Sequence, residues 1–182
     1  KYRSIVNNAQ EGIFQTSKEG RYVTANQALA EMLGYDTPTD LMSSVTDIAR
    51  QVWYDKNERL ELLKKVDELG AVARFECRYR RKDGSVIWVS LDQHAIRDNA
   101  GTILRYEGFC EDITEKRLSL ERMKKALEGT IDAIAAAVEA RDPYTAGHQS
   151  RVADLAQAIA IELGLPADTI EGLRLAATIH DL

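Results

Sequence analysis

The 182-residue sequence predicts an α+β fold, in which an antiparallel sheet carries helices on one face and is followed by a helical segment. The first half alternates short strand-like and helical stretches separated by glycine-containing turns. Its apolar residues then repeat with a period of two, which is typical of half-buried strands. After the last of these strands, the apolar spacing is helical to the end of the chain. Two strands, short helices, one longer helix and three strands are the usual components of a sheet with helices on one face.

Composition and charge argue against several classes of protein. The apolar and charged fractions, 45% and 29%, are those of a globular chain. A net charge of -5, without a basic cluster interleaved with aromatic residues, indicates no nucleic-acid partner. No stretch approaches the roughly 18 apolar residues that span a bilayer, and no signal peptide opens the chain. Cys77 and Cys110 lack the CxxC spacing of a metal or redox site, so we expect a cytoplasmic protein without a membrane segment.

The first elements are expected to be a hairpin and a short helix. Residues 13–16 and 21–25 flank the turn Lys18-Glu19-Gly20, which predicts two paired strands. Asn26 suits the N-cap of the helix that follows, and Gly34 suits the left-handed residue that ends it.

A longer helix is expected over residues 55–69, ending at Gly70. Its apolar residues recur at every third position, which we interpret as the face that packs on the sheet. These residues are Leu60, Leu63, Val66 and Leu69.

The turn Lys82-Asp83-Gly84 determines how the next two strands pair. A two-residue loop would place Phe75 opposite Asp92 and mix core with charge. A three-residue loop instead gives one apolar inner face and an outer face that pairs Arg74 with Asp92 and Arg78 with Trp88, so we predict that register. The inner face consists of Phe75, Cys77, Tyr79, Ile87, Val89 and Leu91. The last strand is expected over residues 103–112, after a turn at residues 98–101.

Five short motifs in this order resemble the PAS family of sensor domains. The resemblance covers residues 1–117 and implies a five-stranded antiparallel PAS sheet with a ligand-sized cavity between sheet and helices. It also implies that Asp112, Ile113 and Thr114 pass changes at the sheet to the helix that follows. The motifs are Glu11-Gly12-Ile13, Ala25-Asn26, Gly34-Tyr35, Arg81-Lys82-Asp83-Gly84-Ser85 and Asp112-Ile113-Thr114-Glu115-Lys116.

The familiar chromophores of such sensors do not suit these residues. A flavin photosensor requires a helical cysteine, whereas Cys77 and Cys110 lie on predicted strands. A haem sensor requires an inward histidine, whereas His94 has the strand parity of the outer face. We therefore expect no flavin or haem. The six inner-face residues would suit an unidentified small ligand, or equally a filled core without one.

A signalling helix is expected over residues 118–140. Its apolar positions step by three and four with one additional step of four, which is a coiled-coil seam with a stutter near Gly129. We predict a homodimer through this helix and the outer sheet face, although a helix packed on its own domain would also explain the seam. The positions are Leu120, Met123, Leu127, Ile131, Ile134 and Val138.

Residues 141–182 read as two further helices after a break at Pro143. The first is expected to bury Val152, Leu155, Ala156, Ile159, Ala160 and Leu163. The second places His180 on an apolar stripe with Ile170, Leu173 and Ala177, so that His180 points inward. An inward histidine is often only a hydrogen-bonded core residue. The adjacent Asp181 and the earlier His148 add suitable ligands for a divalent metal.

The segment Arg141-Asp142-Pro143-Tyr144-Thr145-Ala146-Gly147-His148, followed by His180-Asp181, resembles the opening of an HD-GYP domain. That resemblance implies hydrolysis of the bacterial second messenger cyclic di-GMP. His148, His180 and Asp181 would be metal ligands for ions of the iron or manganese type. Tyr144 stands where some members have a glutamate, which favours two metals over three. The remaining ligands would follow Leu182, so no catalytic site is complete and we expect no activity from this chain alone.

Two other outcomes remain open at the level of sequence. The C-terminal part could belong to another or a degenerate member of the wider His-Asp phosphohydrolase superfamily. Alternatively, the chain could be an interaction module with an empty core, whose outer face around Trp88 and His94 serves only for assembly. The start at Lys1 and the end at Leu182, inside a helical pattern, predict a piece of a longer protein.

Overall fold

The computed structural model describes residues 9–139 and 147–178. The chain divides after Arg117 into two compact units. The first contains a sheet with helices on one face, and the second contains helices. Within the described residues, no helix combines the length and the apolar character needed to cross a bilayer.

The first unit contains the predicted five-stranded antiparallel sheet. Its strand order is β2-β1-β5-β4-β3, so β2 and β3 are the edge strands. The first hairpin forms as the sequence indicates. The strands are β1 (Gly12–Thr16), β2 (Tyr22–Ala25), β3 (Ala71–Arg80), β4 (Val86–Arg97) and β5 (Ile103–Asp112).

Among the described residues of the first unit, four helices cross one face of this sheet, and each begins at a side-chain cap. Asn26, Thr37, Asp47 and Asp55 accept hydrogen bonds from backbone N–H groups of the first turns. Asn26 therefore caps a helix as predicted. The helices are α1 (Gln27–Met32), α2 (Pro38–Ser44), α3 (Ile48–Gln51) and α4 (Lys56–Leu69).

The buried face of α4 differs from the predicted one. Leu62 and Val66 are buried, whereas Leu60 and Leu69 are 62% and 74% exposed. Because each residue turns a helix by about 100°, a repeat of exactly three falls behind by about 60° per step. Leu60 therefore points away from the face of Leu62 and Val66, which a spacing of four keeps together. Leu69 lies on that same face, seven residues from Leu62, and is exposed because it is the last residue of the helix.

The register of β3 and β4 confirms the three-residue turn. Phe75 pairs with Leu91, Cys77 with Val89, Tyr79 with Ile87 and Arg78 with Trp88. The core lies between this inner face and the helices.

The predicted pairing of Arg74 with Asp92 is wrong, because β3 contains a bulge there. Two residues, Ala73 and Arg74, oppose the single residue Asp92. Arg74 has a φ of 54°, and its backbone N–H, not its guanidinium, contacts the Asp92 carboxylate. The bulge lies on an edge strand, where extra residues are commonly accommodated.

The second unit contains most of α5 (Thr114–Glu139), together with α6 (His148–Glu162) and α7 (Ala167–Thr178). Helices α6 and α7 pack on each other, and Lys124 of α5 donates to Glu171 of α7 at 3.0 Å. The break predicted at Pro143 lies outside the described residues.

The predicted buried face of α6 is only partly correct. Ala160 is buried, but the larger residues Leu155, Ile159 and Leu163 are exposed. Ala153, which is outside the predicted set, is buried as well. On α7, Ile170 and Ala177 are half-buried and Leu173 is exposed, whereas His180 lies outside the described residues.

Candidate functional site in the sheet core and at the strand–helix junction

The residues predicted to form a sensor pocket lie in the core. Five of them are buried and Phe75 packs partly buried against them. The five are Cys77, Tyr79, Ile87, Val89 and Leu91. They interdigitate with α4 and the shorter helices, as alternation along the strands requires.

A cavity of about 20 Å³ lies beside this core, large enough for one water molecule. Tyr79 is the member of the predicted set that borders it. The apolar lining comes from Phe14, Ile48, Trp53, Leu62 and Leu63, and the polar lining from Thr16, Tyr22, Arg59 and Gln93.

This polar lining was not predicted from the sequence. Gln93 shares strand parity with Leu91 and is buried, so the alternation could have identified it. Arg59 lies one turn before Leu62 and Leu63, and its guanidinium rests against Gly20 in the first hairpin. No local signal places Arg59 there, because its position depends on how α4 crosses the hairpin.

Burial keeps the ionisable groups of the core neutral. Loss of solvation raises the pKa of the Tyr79 and Tyr22 hydroxyls well above their usual range. It likewise raises the pKa of the Cys77 thiol, and that of Cys110 to about 12. Since the thiolate is the reactive form of cysteine, neither thiol is suited to covalent or redox chemistry near neutral pH.

The first residue of the predicted relay, Asp112, joins the sheet to α5. One carboxylate oxygen accepts a hydrogen bond from the Arg81 guanidinium at 2.9 Å. The other accepts one from the backbone N–H of Thr114, also at 2.9 Å. Asp112 therefore connects the end of β3 to the first residue of α5, and negative charge at a helix N-terminus is favourable.

The other two relay residues are both held by Trp88 of β4. The Ile113 N–H donates to the Trp88 carbonyl, and the Trp88 N–H donates to the Thr114 hydroxyl, both at 2.9 Å. Ile113 is buried. The start of α5 is thus fixed to β4 by one backbone hydrogen bond and by one bond from a backbone N–H to the Thr114 side chain.

Stacked cations surround the same tryptophan on the outer face. The Arg117 guanidinium lies 4.0 Å from the centre of the Trp88 ring. That of Arg78 lies 5.6 Å from the Trp88 ring and 4.6 Å from the Tyr54 ring. Arg78 also pairs with Glu58 of α4 at 3.2 Å. These contacts form a row of groups from α4 to the first turn of α5.

The histidine of the sensor unit faces outward, as predicted. The His94 side chain is about half-exposed and lies 3.6 Å from Glu107. Cys77 and Cys110 lie on strands β3 and β5, also as predicted.

The predicted metal site cannot be assembled from the described residues. His148 is the first residue of α6 and is exposed, following Gly147 at a φ of 74°. His180 and Asp181 lie outside the described residues. Across residues 9–139 and 147–178, no three histidine, cysteine, aspartate or glutamate side chains are grouped closely enough to hold an ion.

Comparison with known proteins shows which family the first unit matches. Residues 10–115, more than half of the chain, match the family model described as PAS domain. The sensor histidine kinase TmoS of Ectopseudomonas mendocina is 30% identical over 133 residues, which cover 69% of this chain. The chain spans only 13% of the length of that curated relative.

Two solved structures share the fold. The PAS domain of a protein from Colwellia psychrerythraea has a TM-score of 0.55 at 17% identity, covering 63% of this chain and 95% of that one. The sensory box histidine kinase/response regulator from Burkholderia thailandensis E264 has a TM-score of 0.54 at 21% identity, covering 71% and 96%. At these identities the likeness concerns the fold alone.

Proposed function

The chain belongs to the PAS domain family, and on that basis we propose that its first unit is the sensory input module of a bacterial signalling protein. The observation that carries the proposal is the junction at Asp112, Ile113 and Thr114. These three residues bond to β3, to β4 and to the start of α5. The signal is proposed to arise at the cavity beside Tyr79, from an unidentified small ligand that displaces the side chains lining it, because the cavity as it stands holds one water molecule.

The junction suits a relay because its bonds join separate elements. Asp112 is bonded to Arg81, which directly follows β3, and Thr114 is bonded to Trp88 in β4, so a displacement of β3 relative to β4 changes the distance between the two anchoring residues. The two hydrogen bonds cannot both keep their lengths, so the first turn of α5 must shift or fray. A signal requires such an element with two arrangements.

For the output we propose regulation of a metal-dependent phosphohydrolase that acts on cyclic di-GMP. The support is the HD-GYP-like segment at residues 141–148, with His180 and Asp181 further on. Imidazole and carboxylate ligands suit ions that activate water for phosphodiester hydrolysis. The exposed Leu155, Ile159 and Leu163 of α6 also offer an apolar surface on which further helices of such a domain could pack.

One experiment tests both halves of this proposal. The protein encoded by the whole reading frame is purified, loaded with Mn²⁺ or Fe²⁺ and assayed for hydrolysis of cyclic di-GMP. We expect turnover that Asp181→Asn abolishes. We expect Asp112→Asn to change the rate severalfold without changing metal content, because Asp112 lies in the relay and not among the metal ligands.

The outcomes distinguish the proposed substrate from the proposed relay. No turnover by the metal-loaded wild type rejects cyclic di-GMP as substrate and favours a different or degenerate His-Asp phosphohydrolase. Turnover that is indifferent to Asp112→Asn rejects the relay. As a matched control, Asp83→Asn alters an exposed carboxylate in the β3–β4 turn that contacts Ser85, and it should leave the rate unchanged.

We further propose that the chain acts as a homodimer. The predicted seam of α5 is largely unburied: Leu120 is 67% exposed, Met123 68% and Leu127 57%. Heptad-spaced apolar residues of this kind are satisfied by the same residues of a second copy. On the outer sheet face, Phe109 is 43% exposed near His94 and offers a second contact area.

Light scattering tests the dimer directly. We expect the wild type to have twice the chain mass of 20.4 kDa. The double variant Leu120→Glu/Leu127→Glu should have the single mass, because charge at seam positions opposes pairing. Lys125→Gln, an exposed position on the same helix, serves as the control and should remain dimeric. A monomeric wild type at high concentration contradicts the dimer, and a double variant that still pairs contradicts the role of α5.

A further inference from the structure

We propose that Arg78 and Trp88 couple α4, which borders the cavity, to the first turn of α5 across the outer face of the sheet. This would be a second connection, made through the Trp88 ring, whereas the junction at Asp112, Ile113 and Thr114 uses the Trp88 backbone. It rests on the proposed function, because it assumes that α5 carries the output of the sensor unit.

The connection begins on α4. Arg59, Leu62 and Leu63 line the cavity, so a change in its content acts on the N-terminal half of this helix. Glu58 is the neighbouring residue and points to the edge of the sheet. Its carboxylate accepts from the Arg78 backbone N–H at 3.3 Å and from the Arg78 guanidinium at 3.2 Å. A shift of α4 is therefore transmitted to Arg78.

Arg78 then reaches the outer face. Its strand parity is opposite to that of Cys77 and Tyr79, and it pairs with Trp88 across the ladder. The guanidinium lies over the Tyr54 ring as well as the Trp88 ring. One planar group that makes an ion pair and two ring contacts has few positions that satisfy all three, so displacement at Glu58 disturbs the contact with Trp88.

Trp88 passes the disturbance to α5. Arg117 stacks on its ring at 4.0 Å and forms an ion pair with Glu76 of β3. The Arg117 N–H also donates to the Ile113 carbonyl, a bond of the first helical turn. Loss of the stack therefore weakens the turn that Asp112 and Thr114 hold from the other side.

Residue-resolved amide hydrogen exchange tests the coupling in the whole chain. We expect Glu58→Gln to lower the protection of the α5 amides at residues 117–121 by at least about threefold, although Glu58 does not touch α5. The matched control is Glu61→Gln, one turn further along α4. It removes a different, more exposed ion pair of α4, to Lys65 at 2.6 Å. It should leave α5 unchanged.

Substitution of Trp88 tests whether the effect of Glu58→Gln on α5 depends on the Trp88 ring. In a Trp88→Leu protein, whose folding is checked by circular dichroism, Glu58→Gln should have no additional effect on α5, whereas Trp88→Tyr should retain it. The coupling is overturned if Glu58→Gln leaves α5 unchanged, if Glu61→Gln has the same effect, or if the effect persists in Trp88→Leu. Asp112→Asn is measured in parallel: if it alone leaves α5 protection unchanged, the relay of the proposed function fails while the stack stands.

Discussion

Substitution of Gly108 by alanine is expected to lower the free energy of unfolding of the first unit by at least about 3 kcal/mol. Gly108 lies in β5 opposite Gln93 of β4. A Cβ atom at this position would meet the Asp92 carbonyl oxygen at 2.3 Å and the Phe14 ring at 3.0 Å. The first contact is with backbone, so no change of rotamer can relieve it. The strands must separate or shift instead.

Neither response is easily available here. Asp92 is already the residue that opposes the bulge in β3, and its carboxylate contacts the Arg74 N–H. Moving β4 away from β5 would therefore disturb both ladders at once. The decrease in the free energy of unfolding is measured by urea unfolding, followed by tryptophan fluorescence.

Gly129→Ala provides a control of opposite sign. Nothing lies within 4 Å of a Cβ at Gly129, which is inside α5. We expect alanine there to raise helix content, since glycine costs about 0.5 to 1 kcal/mol within a helix. The urea concentration at which half of the first unit is unfolded should not change. A Gly108→Ala protein with wild-type stability would show that β4 and β5 are not paired in this register.

Substitution of Asn26 by alanine should cost about 3 kcal/mol, more than the loss of an ordinary helix cap. The Asn26 side chain is almost completely buried. Its oxygen accepts from the N–H groups of Leu29 at 3.0 Å and of Ile13 at 2.9 Å, and its nitrogen donates to the Glu11 carbonyl at 2.9 Å. Alanine would leave three backbone groups of β1 and α1 without these partners.

Two variants separate the cap from the bonds to β1. Thr37→Ala removes an exposed cap, in which the hydroxyl accepts from the Asp40 N–H at 3.1 Å, and should cost only about 1 kcal/mol. Asn26→Asp keeps the acceptor oxygen but loses the donor to Glu11, so its stability should lie between the other two. If Asn26→Ala and Thr37→Ala lower the free energy of unfolding equally in thermal unfolding, the bonds from Asn26 to β1 contribute nothing to stability.

The sequence predicts what depends on local patterns. Alternation along β3 and β4 leaves one register that keeps Asp92 out of the core, and the structure has that register. The cap at Asn26 is predictable because an asparagine side chain accepts hydrogen bonds from nearby backbone N–H groups, which favours asparagine at helix N-termini. The relay at Asp112, Ile113 and Thr114 stays a prediction from resemblance, and the structure adds the partners of these residues, Arg81 and Trp88.

What the sequence could not predict depends on how the elements meet. The bulge at Ala73 and Arg74 contains no glycine that would indicate it from the sequence. The polar lining of the cavity draws on β1, β2, α4 and β4. Only their packing brings Arg59 near Tyr22. The ligand set at His148, His180 and Asp181 remains a prediction, because two of its members lie outside the described residues.

The covered edge of β3 has a consequence for aggregation. An edge strand with free backbone groups invites strand addition by other chains. Here the Arg78 carbonyl accepts from Tyr54, the Arg80 N–H donates to Val52, and the bulge interrupts the strand further along. The opposite edge, β2, is only four residues long. Along the described strands, neither edge offers a long continuous template, so the addition of foreign strands to this sheet is disfavoured.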